Sequence, residues 1–357
     1  MTGEHLRAVS IAGLERMAAE TLPDDAFAYF STGARDEITE RANRAAWESW
    51  CFVPSVLVDT TATTTDTVVL GTAVRSPVMV APMAAQRLAH PKGELATARA
   101  ASRAGCIMVL SMSANEPIEA VARVNGLLLW LQLYMTRDQT HSRELIERAH
   151  AAGAKAIVLT VDSVLERSAH RRPHGDRAAD FPPMPMNPGG EIDDRIDWEF
   201  VTRLAHDIEL PLVLKGILSP VDAVRAADAG CAAIIVSNHG GRQLDGAVTT
   251  AQILPEVASA VGDRMEVYVD GGVRRGGDVL KALALGARAV LVGRPVLWGL
   301  AAAGERGVSR VLDLLAEELL ADSRQAGVLG MGVVPRELVV RNWVTIALAP
   351  ADPVRGQ

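Results

Sequence analysis

The sequence is poor in cysteine, and its three cysteines, Cys51, Cys106 and Cys231, show no CxxC spacing. Each lies in or beside apolar sequence, so small buried hydrophobes in a reducing cytoplasm are the default reading. No block of like charge occurs. The formal net charge is -7 with both signs interspersed, which argues against a nucleic-acid partner and against an acidic tail. No apolar run approaches the length needed to span a bilayer, and Met1 to Ala18 carries alternating charges instead of a signal-type apolar core. A soluble cytoplasmic protein without a membrane partner is therefore expected. A GxGxxG turn after the first strand is missing too, which counts against a doubly wound dinucleotide fold, and no metal site is expected.

At 357 residues and 49% hydrophobic, the chain can bury a large core, as one elaborated barrel or as two ordinary domains. Leu6, Ile11, Leu14 and Met17 recur at helical spacing, and Leu22-Pro23-Asp24-Asp25 opens a second short helix towards Tyr29, so residues 1–70 read as a helical cap and lead-in. From Val78 an apolar strand, a loop and an alanine-rich helix repeat. The candidate strands are Val78–Ala81, Ile107–Leu110, Leu128–Leu133, Ala156–Val161, Pro211–Leu214, Ala233–Val236, Glu266–Val269 and Ala289–Val292. This alternation predicts an α/β fold, a (β/α)8 TIM barrel over residues 78–305 within a single domain, with a doubly wound sheet as the other architecture considered. Residues 306–357 are expected to be C-terminal helices. The irregular stretch Arg171–Asp194 falls after the fourth strand and reads as a lid or a disordered segment.

In such a barrel the residues after each strand converge on one face. They are Ala81-Pro82-Met83, Ser111 and Ser113, Gln132 and Tyr134, Thr160 and Asp162, Lys215, His239 and Arg242, Asp270-Gly271-Gly272 with Arg274, and Gly293-Arg294. Packing alone does not explain so many polar groups. The stretch Ser237-Asn238-His239-Gly240-Gly241-Arg242 puts a base and a carboxylate clamp on one loop. The glycines and arginines after the last two strands resemble a phosphate site. Read singly, Arg274 and Arg294 could be solvated charges, and Tyr29 a packing aromatic.

Together the runs Ser237–Gly246, Val213–Gly216, Asp270–Asp278, Gln132–Tyr134 and Ala89–Glu94 resemble the FMN-dependent α-hydroxy acid oxidase/dehydrogenase family, from Leu22-Pro23 to near Leu320. The resemblance implies FMN across the barrel mouth and oxidation of a 2-hydroxy acid to a 2-oxo acid. By position, Ala81, Pro82, Met83, Ser111, Gln132, Thr160, Lys215 and Ser237 would surround the flavin, with Asp270, Gly272, Arg274, Gly293 and Arg294 holding its ribityl phosphate. His239 would be the base, Asp162 its orienting carboxylate, Arg242 the clamp, and Tyr29 and Tyr134 hydrogen-bond donors to substrate. Lys215 would favour the anionic reduced ring. A homotetramer is also implied.

The sequence departs from the family around Asp162–Arg172. Ala169 stands where a second clamping arginine is usual, and realignment makes Arg172 the candidate, with Arg171 and Arg167 behind it. The lid after the fourth strand is shorter than usual, and Ser113 replaces a bulky aromatic. Both suggest a substrate larger than glycolate, aromatic 2-hydroxy acids among them. His90 reads as a packing residue, and His170 and His174 as solvated. The electron acceptor is dioxygen for an oxidase or another acceptor for a dehydrogenase. The remaining alternative is a flavin-binding protein without hydroxy acid turnover.

Overall fold

A computed structural model describes residues 10–163, 181–187, 192–193 and 195–342. The chain opens with α1 (Ile11–Thr21), α2 (Asp24–Ser31) and α3 (Ile38–Glu48), then β1 (Trp50–Phe52) and a hairpin, β2 (Thr67–Val69) with β3 (Thr72–Val74). The barrel follows as β4 (Val78–Val80), α4 (Gly93–Ala104), β5 (Ile107–Ser111), α5 (Ile118–Ala122), β6 (Leu128–Leu133), α6 (Gln139–Ala151), β7 (Ile157–Thr160) and α7 (Trp198–Asp207). It is completed by β8 (Leu212–Ile217), α8 (Pro220–Asp228), β9 (Ala233–Val236), α9 (Thr250–Val261), β10 (Glu266–Val269), α10 (Gly276–Ala284), β11 (Ala289–Val292) and α11 (Arg294–Ala326). Strands β4 to β11 pair in parallel and in chain order, and β11 closes on β4 through Val290↔Val78. The expected eight-stranded barrel is the fold, and the doubly wound alternative is excluded by that closure.

Helix starts follow from local chemistry. Asp138, Asp197 and Ser219 each accept a hydrogen bond from the first turn of α6, α7 and α8, satisfying donors that a helix leaves free. The strands are apolar on both faces because one face meets the helices and the other fills the barrel. Met79, Ile107, Val109, Trp130, Val158, Val213, Ile235, Tyr268 and Leu291 form an interior cluster separate from the larger cluster under the helices. Val69 and Val74 of the hairpin join the interior cluster and plug the N-terminal end of the barrel.

The C-terminal expectation needs correction. Within α11 two helical segments meet at Ala303-Gly304, where the backbone leaves helical angles, and the second runs on to Ala326, so a helix follows the barrel as expected up to that point. The stretch expected to be a closing helix from Arg336 is instead a single 3-10 turn, Arg336–Leu338, followed by β12 (Val339–Arg341), antiparallel to β1. Val339 is buried and Val340 half exposed, the period of two that a strand on a surface requires. Beta-branched residues with an available edge prevail over a weak helical pattern.

Candidate active site

The period of two along each barrel strand builds the site. Two residues beyond Val109, Trp130, Val158, Val213, Ile235, Tyr268 and Leu291, all interior, stand Ser111, Gln132, Thr160, Lys215, Ser237, Asp270 and Gly293. The top layer of the barrel is thus polar and sits directly on an apolar one. Its members are bonded to each other: Ser111 Oγ donates to Gln132 Oε1 (3.0 Å) and Gln132 Nε2 to Thr160 Oγ1 (3.1 Å). Lys215 Nζ donates to Ser237 Oγ (2.7 Å) and lies 3.1 Å from Asp270 Oδ2.

Above this layer is a cleft open to solvent. Tyr29, Ala81, Pro82, Met83, Ser111, Ser113, Gln132, Tyr134, Thr160, Lys215, His239, Arg242, Asp270, Gly272, Arg274, Gly293 and Arg294 all line it. Asp162 and Ser237 stand behind it, bonded to His239 and Lys215. Arg172, with Arg167, Arg171, His170 and His174, lies outside the described residues, as does most of the expected lid. The piece 181–187 is described, and it reaches the wall: Asn187 Nδ2 donates to Ser113 Oγ (2.8 Å), and Phe181 meets the Tyr29 ring edge-on at 4.9 Å. His90 packs against the kink at Gly304.

His239 Nδ1 is 2.9 Å from Asp162 Oδ1. Burial alone would raise the Asp162 carboxyl, but the facing His239 and Lys215 outweigh it and hold the group below its ordinary range. Asp162 can come this close because residue 216 is glycine, where a Cβ would lie 2.6 Å from the Asp162 Cβ. Burial likewise pushes the Lys215 ammonium down, yet Asp270, then Asp162 and Tyr134, more than reverse it, so Lys215 remains a cation.

The two arginines expected at a phosphate differ in environment. Arg294 donates to Phe30 O, Gly240 O and Thr32 O at 2.9–3.1 Å, and Arg242 shares Phe30 O (3.3 Å) and Thr32 O (3.0 Å). Both guanidinium groups are drawn to the carbonyl end of α2, where helix carbonyls lack partners and the dipole is negative. Arg242 also lies over the Tyr29 ring. Arg274, in contrast, has buried Nε and Nη2 atoms without a hydrogen-bond partner. Burial, then Arg44 and Arg294, push its guanidinium down to about 9. Asp162 Oδ2 and Asp270 Oδ1 are the other orphaned atoms here. An anion beside Arg274 would relieve both the desolvation and the like-charge repulsion. The N–H groups at the start of α10 are not free for it, since Asp278 accepts from the Arg274 and Arg275 amides and Glu318 from Gly276. At the start of α11 Pro295 has no N–H and Val296 and Leu297 donate to Gly293 O, so the backbone facing the cleft beside Arg274 is that of the Gly271-Gly272 loop. The residues present thus fit a flavin phosphate.

The sequence reading missed the contributions of α2 and α3. Asn43 and Asn238 exchange two hydrogen bonds (2.9 and 2.8 Å), and Trp47 Nε1 donates to Gly271 O (2.8 Å). Gly272 is pressed so close to α3 that a Cβ would stand 2.2 Å from Asn43 O. The available signal was polar Thr39 and Asn43 on the buried stripe of α3, beside Ala46 and Trp47.

A family model for FMN-dependent dehydrogenases matches residues 18–341. An L-lactate oxidase of Nostoc sp. is 45% identical over 336 residues, covering 87% of this chain and 92% of that protein. A 4-hydroxymandelate oxidase of Amycolatopsis orientalis is 44% identical over 354 residues, 92% and 97% of the two chains. A solved mandelate oxidase variant with (S)-mandelic acid superposes with a TM-score of 0.84 at 44% identity, covering 94% of this chain and 99% of that one. Barrel, polar floor, the two unpartnered nitrogens of Arg274 and this similarity over nearly the whole chain agree: the protein belongs to the family of FMN-dependent α-hydroxy acid oxidases and dehydrogenases, and FMN is its cofactor.

Proposed function

We propose that this enzyme oxidises 2-hydroxy acids with bulky, aromatic side chains to 2-oxo acids, with His239 as the base. The observation that carries the base assignment is the His239–Asp162 pair at 2.9 Å on the wall of the flavin cleft. FMN supplies the two-electron acceptor when bound. With Nδ1 engaged by Asp162, His239 takes one substrate hydrogen as a proton at Nε2, the other hydrogen and the electron pair would leave for the flavin, and the carboxylate stabilises the resulting imidazolium. Arg242, held by the carbonyls of α2, clamps the substrate carboxylate, and Tyr29 and Tyr134 donate to its oxygens. Arg172 is proposed as the second clamp, with Arg171 and Arg167 as its substitutes. Lys215, kept cationic by Asp270, favours negative charge on the adjacent ring.

The substrate assignment is supported by small Ser113 in the cleft wall and by the Tyr29–Phe181 aromatic pair beside it. The names of the relatives include lactate, mandelate and hydroxymandelate oxidases and do not choose among them, but they favour dioxygen as acceptor. Among the described residues no helix is long and apolar enough to cross a membrane, and all three cysteines are free thiols, which supports the cytoplasm. Exposed Val56, Leu57, Leu329 and Val333 support a homotetramer that covers them.

Anaerobic mixing of the yellow holoenzyme with glycolate, lactate, mandelate and 4-hydroxymandelate tests the reading through flavin absorbance. The aromatic acids should bleach it fastest, and air should restore the colour. Bleaching by lactate alone overturns the substrate class. No bleaching by any, with dithionite still effective, overturns the activity.

A further inference from the structure

We propose that Asn43 of the N-terminal cap is a positioning residue for the reaction, setting the backbone from which His239 projects by locking Asn238 in a reciprocal amide pair. The two side chains are 2% and 4% exposed, and each amide donates to the other's oxygen. Asn238 cannot turn its amide over, because its Oδ1 also accepts from Gly241 N (3.2 Å) and its Nδ2 also donates to Val248 O (3.2 Å). Only a partner presenting an acceptor to Nδ2 and a donor to Oδ1 satisfies it, and an asparagine at 43 does so.

The next residue explains why such a lock is needed. His239 has φ +58, a left-handed conformation uncommon for a residue with a Cβ, and here the surrounding bonds hold it. On one side its own amide donates to Ser237 Oγ (3.0 Å), and on the other Gly241 N bonds Asn238 O (3.0 Å). The rest of the loop is tied to the same cap, through Ala34 N to Gly241 O (2.8 Å) and Thr39 N to Asp245 Oδ1 (2.9 Å). Of these ties, the one adjacent to His239 is Asn43. Removing the Asn43 amide alone would leave the buried Asn238 amide short of one acceptor and one donor, which costs stability as well, so rate and stability are read separately. Without that amide the loop can relax towards ordinary backbone angles, and the imidazole moves relative to both Asp162 and the substrate.

This inference rests on His239 being the base. The test is anaerobic flavin reduction by the best aromatic substrate for the holoenzyme and its Asn43→Ala, Asn43→Asp, Val121→Ala and His239→Ala variants, each with flavin content and melting temperature measured. Asn43→Ala should retain FMN with an unchanged spectrum, and its limiting reduction rate should fall about 10–100-fold while the half-saturating substrate concentration moves less than about threefold. Asn43→Asp keeps the shape and the bond from Asn238 Nδ2 but sets a carboxylate oxygen against Asn238 Oδ1, and its rate should fall at least as far. Val121, fully buried in α5 away from the cleft, serves as the comparison for lost stability, and Val121→Ala should reduce at the normal rate. Limiting rates for both Asn43 variants within about twofold of the parent overturn the proposal, since a misplaced base costs more than that. An equal loss in Val121→Ala, or a loss expressed wholly as weaker substrate or flavin binding, overturns it as well. If Asn43→Ala does not fold, Asn43→Asp decides by the same criteria. Normal reduction by His239→Ala would remove the base reading itself. An inactive His239→Ala beside normal Asn43 variants removes this inference alone.

Discussion

The two ends of the barrel are made by the same eight strands with the same side-chain period, yet they do opposite things. At the N-terminal end the hairpin of β2 and β3 fills the opening, and Glu266 takes hydrogen bonds from the Leu70 amide (3.1 and 3.2 Å) and the Tyr268 hydroxyl (2.8 Å). Burial and that carboxylate push the Tyr268 phenol up, so it stays a neutral donor. Glu266, Leu70 and Tyr268 answer one another there, and the buried atoms left without a partner at that end are the hydroxyls of Thr67 and Ser76, which carry no charge. At the C-terminal end, one layer higher, Arg274, Asp162 and Asp270 keep buried atoms without partners, and His239 holds a strained backbone. What separates the two ends is charge: the unpartnered atoms of Arg274, Asp162 and Asp270 gather where ligand and chemistry will meet them, and the plugged end leaves only hydroxyls unanswered.

That contrast can be broken in four places. The largest effect is expected from His239→Ala, which should leave flavin bound and the fold intact while substrate-driven flavin reduction slows about 10²–10⁴-fold. Stopped-flow absorbance measures it, and near-normal reduction would dissolve the functional half of the comparison. Trp130→Ala should do the reverse. Removing a ring 1% exposed in the barrel interior should cost about 3–5 kcal/mol in denaturant unfolding, with turnover per bound flavin little changed. Equal damage to turnover would show that the two ends are not separable. Arg172→Ala sharpens the picture of the upper end: losing charge-assisted hydrogen bonds worth about 1.5–3 kcal/mol should raise the half-saturating substrate concentration about 10–100-fold. An unchanged value moves the second clamp to Arg171 or Arg167. The smallest effect belongs to Tyr268→Phe, which should cost about 1 kcal/mol of stability for one hydrogen bond and nothing in reduction rate. A slower reduction there would mean that Glu266 and Tyr268 communicate with the layer above.

Most of the upper layer was readable one strand at a time. Ser111, Gln132, Thr160, Lys215 and Asp270 each follow an apolar run, and parallel barrel topology gathers strand ends without any further information. Strand limits were also near the mark, as at Leu128–Leu133 and Glu266–Val269, because a strand buried on both faces is a continuous apolar run. The tail from Arg336 was misread since a short segment with two or three apolar residues fits both periods, and only the free edge of β1 selects the strand.

The sequence by itself determined the barrel and the polar floor, because each depends on local periodicity plus one topological rule, whereas the pairing of His239 with Asp162 was implied only by the family resemblance. Tertiary structure alone decided how the floor is aimed. Arg242 and Arg294 turn to the last carbonyls of α2, Asp245 supplies the acceptor that the Thr39 amide of α3 needs, and Asn43 meets Asn238 across 195 residues. These are one to three hydrogen bonds per residue between distant segments. They carry no repeat and no composition, so they appear only when the chain has closed and each buried polar group must find its partner.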